Sequence, residues 1–163
     1  MTVAATDAPI AYMERTQHYY RALGYDNDYA WARFDDVPFR RLSKPLREAK
    51  VALITTAGPP DRSNRDTRGG KHVWSCATAS PPAAFDTDLA WDKESTHTGD
   101  RESFLPLRAA AGLAAGGLFA GLAPRFHGAP TGYSHRKTLE QDAPEILQRL
   151  RADGADAALL TAL

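Results

Sequence analysis

A single cysteine, Cys76, is all the thiol chemistry available to this chain of 163 residues. It excludes an intrachain disulfide framework and any zinc site that needs two thiolates from one chain, and it fits a reducing, cytoplasmic setting. A surplus of charge of one sign is also missing, since 20 Lys and Arg stand against 20 Asp and Glu. Affinity for nucleic acid or an anionic membrane surface comes from a positive excess, so neither is expected as a partner. Long apolar runs are absent as well. The least polar stretch, residues 109–124, carries four glycines and seven alanines between Arg108 and Arg125, short of the roughly 20 apolar residues of a membrane span. Residues 1–9 lack the basic start and apolar run of a signal peptide. What is present is ordinary globular composition, 43% hydrophobic and 25% charged, in a length that suits one domain and one core.

The pattern along the chain predicts an α/β fold: a single-domain, open, mostly parallel sheet flanked by helices. An N-terminal helix and an aromatic extended arm (residues 1–49) are expected to pack on a body formed by residues 50–163. The helix covers residues 12–23, burying Tyr12, Tyr20 and Leu23, with Gly24 as a left-handed C-terminal cap. The arm holds Tyr25, Tyr29, Trp31, Phe34 and Phe39 with Pro38 and Pro45. Five aromatics are costly to leave in water, so they dock on the body or form a homodimer contact. Residues 50–58 read as a strand buried on both faces, ending at Gly58-Pro59-Pro60. A polar loop follows with Arg62, Arg65, Arg68 and Lys71, then a short strand within residues 71–77. A helix is expected over residues 100–113, capped by Asp100, with Phe104, Leu107 and Ala111 on one face; Pro106 blurs its start. Gly116 and Gly117 end it before a strand over residues 118–123. The last unit is a helix capped by Asp142, with Ala143, Ile146, Leu147 and Leu150 at helical spacing. Gly154 closes it before a buried strand over residues 155–162.

Five strings then stand out: Tyr20-Arg-Ala-Leu-Gly-Tyr25, Val51-Ala-Leu-Ile-Thr-Thr-Ala-Gly58, Phe104-Leu-Pro-Leu107, Gly121-Leu-Ala-Pro-Arg125, and the run from Leu150 to Thr161. With them in consistent order over most of residues 12–163, the chain resembles the glycine/sarcosine/betaine reductase selenoprotein B family, including the selenoprotein subunit of D-proline reductase. The resemblance implies an α/β subunit that takes part in reductive C–N cleavage of small amino-acid-type substrates. In full-length members a selenocysteine and, a few residues later, a cysteine follow the strand that matches residues 155–161. This sequence stops at Leu163, so the expectation is a body without that redox centre. Two further stretches depart from the family pattern. Gly70-Lys-His-Val-Trp-Ser75 lacks the family's acid and arginine, and Thr87-Asp-Leu-Ala-Trp-Asp92 has Asp88 in place of a histidine while Asp92 keeps its acid.

Asp88 and Asp92, with Asp86 and Glu94 nearby, form the densest acidic cluster. Two carboxylates in one cleft can split their pKa values into an acid and a base, and the competing reading is a solvated loop. His127, in a glycine- and proline-rich loop after a strand, is the best single acid–base group. The expected catalytic set is thus Asp88, Asp92 and His127. Thr55, Thr56 and Gly58 at the end of the first strand, with Arg62 and Arg125, form the expected rim for an anionic or amino-acid-derived small molecule. A mixed metal site of His72, Cys76 and His97 is a weaker alternative, because no tight ligand spacing is present, and no cofactor is expected. Cys76 could act as a nucleophile beside Lys71 or His72, against a plain packing role. The function expected is non-redox acid–base chemistry, such as elimination, isomerisation, hydrolysis or ring formation. The alternative is a non-catalytic partner subunit of a larger complex.

Overall fold

The computed structural model describes residues 11–28, 30, 32–37, 40–87, 97–132 and 134–163. The chain divides into two units, Met1–Pro38 and Phe39–Leu163.

In the first unit, α1 spans Tyr12–Ala22. It ends where Gly24 takes φ +87°, a conformation that strains any residue with a Cβ. The Tyr25 N–H reaches back to the Tyr20 carbonyl and the Gly24 N–H to that of Arg21, which together close a Schellman cap. The expected burial of this helix does not occur. Tyr12 is 70% exposed, Leu23 56% and Tyr20 38%. Tyr20 meets Tyr19 and Tyr25 edge-on at centroid distances of 5.6 and 5.5 Å. In the arm, Tyr25 and Phe34 are exposed, while Tyr29, Trp31, Pro38 and Phe39 lie outside the described residues.

The second unit is an open, mostly parallel sheet with helices against it. The central strand is β1, Lys50–Thr55. Its β-branched and aliphatic residues suit burial on both faces. It runs parallel to β5, Ala157–Thr161, on one side, and to β3, Gly121–Leu122, and β4, Arg125–Gly128, on the other. Strand β2, Trp74–Ala77, pairs antiparallel to β4 at the outer edge. Residues expected to form one strand over 118–123 and then a loop are instead two short strands. Val51 faces Leu122 but Ile54 faces His127, so the partner inserts two extra residues at Ala123-Pro124. Proline has no N–H for the ladder. Thr78 takes up the freed carbonyls, its N–H bonding Pro124 O at 2.9 Å and its hydroxyl Ala123 O at 2.8 Å.

The pleat sends alternate residues to two cores. One face carries Leu53 and Phe126, with Trp74 and Cys76 beside them, against Phe104, Leu105, Leu107 and Phe119. Phe104 and Phe126 are fully buried, each stabilising the fold by roughly 1.5–3 kcal/mol. The helix expected over residues 100–113 is broken in two: α2, Arg101–Phe104, capped by Asp100 as expected, and α3, Leu107–Ala115. Pro106 cannot donate within a continuous helix. The break is sealed by Glu102, whose carboxylate accepts the N–H groups of Arg108 and Ala109 at 3.0 and 3.1 Å. The shift in phase buries Ala110 rather than Ala111.

On the other face Ile54, Val73 and Ile146 form the second core, covered by the C-terminal helix. That helix starts earlier than expected. Ser134 caps it, accepting from Lys137 N at 3.2 Å, and it runs through α4, His135–Lys137, a π-helical turn, Thr138–Asp142, and α5, Ala143–Ala152. Asp142 is therefore inside the helix and not its N-cap. Pro144 has no N–H for the carbonyl four residues back and its ring crowds that turn, which accounts for the widened π segment just before it. Ile146 is buried, whereas Ala143 and Leu147 face out. Gly154, at φ +67°, closes the helix as expected. Strand β5 is less covered than expected, with Leu159 and Leu160 49% and 57% exposed.

Candidate functional site

Ligands of open α/β sheets bind beyond the carboxyl ends of the strands, and a pocket of about 280 Å³ lies at that end of this sheet. Three segments build it: Gly70 and Lys71 before β2, residues 130–132 after β4, and the start of the C-terminal helix with Ser134, Lys137, Thr138 and Asp142. The segments are braced by their own lysines. Lys71 Nζ donates to the Thr131 carbonyl at 2.9 Å, and Lys137 Nζ donates to the Lys71 carbonyl at 2.8 Å and to Asp142 Oδ1 at 2.7 Å. Asp142 is buried because the π turn rotates it inward, toward the lysine five residues before it. Burial, with the Arg65 charge second, holds the Lys71 ammonium below the ordinary lysine range, and Asp86 opposes this. The lining carries the ammonium groups of Lys71 and Lys137 and the carboxylate of Asp142, and the hydroxyls of Thr131, Ser134 and Thr138 add neutral hydrogen-bonding capacity.

Of the residues expected from sequence, Asp88 and Asp92 lie outside the described residues, as does Glu94. Thr55, Thr56 and Gly58 do sit at the carboxyl end of β1, but their groups serve their own loops. Thr55 Oγ1 accepts from Ala57 N, Thr56 Oγ1 accepts from Leu163 N at 2.9 Å, and Gly58 exchanges two backbone bonds with Asp86. Arg62 donates to Asp86 Oδ2 at 2.8 Å and Arg125 pairs with Asp153 at 2.9 Å. None of these five lines the pocket. His72 lies 3.4 Å from Asp66, Cys76 Sγ contacts Ser80 O at 3.6 Å, and His97 Nδ1 accepts from Gly99 N. Among the described residues no group of three or more His, Cys, Asp or Glu side chains gathers around a metal-sized space, so these three form no shared site.

His127 is inside β4, not in the loop after it, and is fully buried. Its Nδ1 lies 2.8 Å from Ser75 Oγ on the neighbouring strand, and Ser75 Oγ also accepts from Arg149 Nη1 at 2.6 Å. Its Nε2 lies 3.2 Å from Asp153 Oδ2, off the line of a good hydrogen bond, and makes no other polar contact among the described residues. Burial, followed by the Arg125 and Arg149 charges, holds the imidazole below the ordinary histidine value, with Asp153 pulling the other way. It is therefore neutral at neutral pH.

Lys137, Asp142, Ser75, Arg149 and Asp153 were not singled out as site residues from sequence. Only Pro144 signalled the disturbance that turns Asp142 inward; pairing across strands and helix, which no local pattern encodes, assembled the rest.

Fold and site together define an open α/β protein with a small, lysine-lined pocket at the carboxyl end of its sheet. In comparisons with protein-family models, with curated proteins and with solved structures, nothing matches this chain, and nothing in them identifies the selenoprotein B family. Among the described residues no helix is long and apolar enough to cross a membrane.

Proposed function

We propose that the chain is an enzyme that performs acid–base chemistry on an anionic, amino-acid-sized molecule held in the pocket between Lys71, Lys137 and Asp142. The observation that carries this reading is the half-buried Lys137–Asp142 pair, 2.7 Å apart, in a small pocket that Lys71 also lines. A volume of about 280 Å³ is near the lower bound of ligand pockets, about 300 Å³, and suits a small substrate. Lys71, its ammonium weakened by burial, and Lys137 would hold the substrate carboxylate. Asp142 would take a proton and Lys137 return one, as in elimination, isomerisation or hydrolysis. Membership of the selenoprotein B family is part of the same proposal, and the amino-acid-type substrates that the resemblance implies agree with it.

The test is calorimetric titration of the protein with a panel of small amino and hydroxy acids. At least one should bind, and Lys137→Ala should weaken it about tenfold or more, as expected for a charge-assisted contact of roughly 1.5–3 kcal/mol. Equal binding by the variant would remove the pocket from consideration.

A second reading, a partner subunit without catalysis, is favoured by β5. Among the described residues it pairs only with β1, and an open edge with two exposed leucines is a surface that proteins usually cover. A stable complex with a second protein by light scattering, and no turnover of any bound acid, would favour it.

A further inference from the structure

Away from the pocket, on the face covered by α5, Ser75, His127, Asp153 and Arg149 join three separate parts of the chain: the edge strand β2, the strand β4 and the C-terminal helix with its cap. The proton positions follow from the partners. Arg149 can only donate, so Ser75 Oγ accepts from it. His127 is neutral, and its Nε2 faces the Asp153 carboxylate, so Nε2 carries the proton and Nδ1 offers a lone pair. The Ser75 hydroxyl hydrogen then points at Nδ1, 2.8 Å away. A base sits on the hydroxyl, a carboxylate sits behind the base, and a guanidinium sits where negative charge on Oγ would develop. Glu145 holds the far side of the Arg149 guanidinium, and Arg125 pairs with Asp153. Ser75 is half-buried, on the strand that is outermost on that side of the sheet among the described residues, whereas His127 is fully buried.

We infer that Ser75 is a nucleophilic site for small carboxylic esters, with His127 as its base, Asp153 as the positioning residue of that base and Arg149 as the stabiliser of charge on the reacting oxygen. Oγ attacks the ester carbonyl carbon and its proton passes to His127 Nδ1. The C–O bond to the leaving alcohol breaks as His127 returns the proton to that oxygen. Water then attacks the acyl-serine, giving its proton to His127 and releasing the acid as Ser75 regains its hydrogen. The off-line Asp153 contact straightens as the imidazole gains charge, in keeping with the loose hydrogen bonds of unliganded catalytic groups.

The full-length chain is incubated with an alkyl fluorophosphonate, which transfers phosphorus to an activated serine with loss of fluoride, and adducts are located by peptide mass mapping. One adduct, on Ser75, is expected, absent in Ser75→Ala. Its rate should fall as pH drops through the His127 titration. It should also fall about 100-fold or more in His127→Gln, the low end of what a general base contributes. Arg47→Ala, at an exposed position outside both sites, should label at the wild-type rate. No adduct on the folded wild type, labelling spread over several serines, or a pH-independent rate would each overturn the inference. The wild-type results stand even if His127→Gln fails to fold.

Discussion

Gly128 is the last residue of β4, where the sheet hands the chain to the pocket loop, and it faces Trp74 across the antiparallel pair. A Cβ at this position would lie 1.6 Å from the indole Nε1 and 2.2 Å from Cδ1. The glycine does not have the positive φ that would itself strain another residue, so the effect of Gly128→Ala is steric. The indole must move. It then loses its hydrogen bond to the Ala57 carbonyl at 3.1 Å and its edge-on packing with Phe126 at 5.5 Å. Overpacking of this kind costs about 1–3 kcal/mol, and the lost hydrogen bond adds about 1 kcal/mol. The expected loss is roughly 2–4 kcal/mol, measured by urea unfolding with tryptophan fluorescence. Gly132→Ala, in the same loop with open space around it, should stay within about 0.5 kcal/mol of wild type. Adding Trp74→Leu to Gly128→Ala should recover part of the loss, because the pair is in contact and its effects are not additive. A Gly128→Ala protein as stable as the glycine control would refute the placement of Trp74 over this strand.

The remaining expectations concern charge and capping. His127 has a depressed pKa in the folded state, so the unfolded chain binds its proton first as pH falls. Stability should decline as pH drops from about 6.5 toward the folded value and be level above it. Ser75, Arg125, Glu145, Arg149 and Asp153 surround the imidazole directly or through one partner. A urea midpoint unchanged between pH 7.5 and pH 5 would contradict its buried, neutral state. Glu102→Ala removes the acceptor for two N–H groups at the start of α3 and should lower stability by about 1 kcal/mol. The Glu102 carboxyl is held low against its desolvation by those N–H groups and Arg101. Its contribution should therefore be present above its unfolded pKa and vanish as acid titration passes the folded one, which a pH series on wild type and variant would display.

Local pattern was enough for the elements whose cause is local. Gly24 and Gly154 end helices because left-handed backbone is cheap only there, and Asp100 caps α2 through its own side chain. The apolar run of β1 identified the centre of a parallel sheet. Pro106 warned of a disturbance without telling that Glu102 would seal it, since that contact spans six residues and a helix break. The C-terminal helix starts at Ser134 and not at Asp142: Asp142-Ala-Pro-Glu145 has the local pattern of a cap, while Ser134 does the capping.

The site is where local pattern ran out. His127 was singled out as an acid–base group, but its neighbours come from β2 and from the end of α5, so its burial and its partner Ser75 depend on strand order. The pocket lysines lie 66 residues apart in the chain and are joined by one hydrogen bond. By itself the sequence determined the fold class, a neutral one-cysteine body with an open, mostly parallel sheet, because period, caps and breakers are read within a turn or a strand. Only the tertiary structure decided which polar side chains share a dry space. Burial and charge pairing are set by residues far away in sequence, and these move the protons on Lys71 and His127.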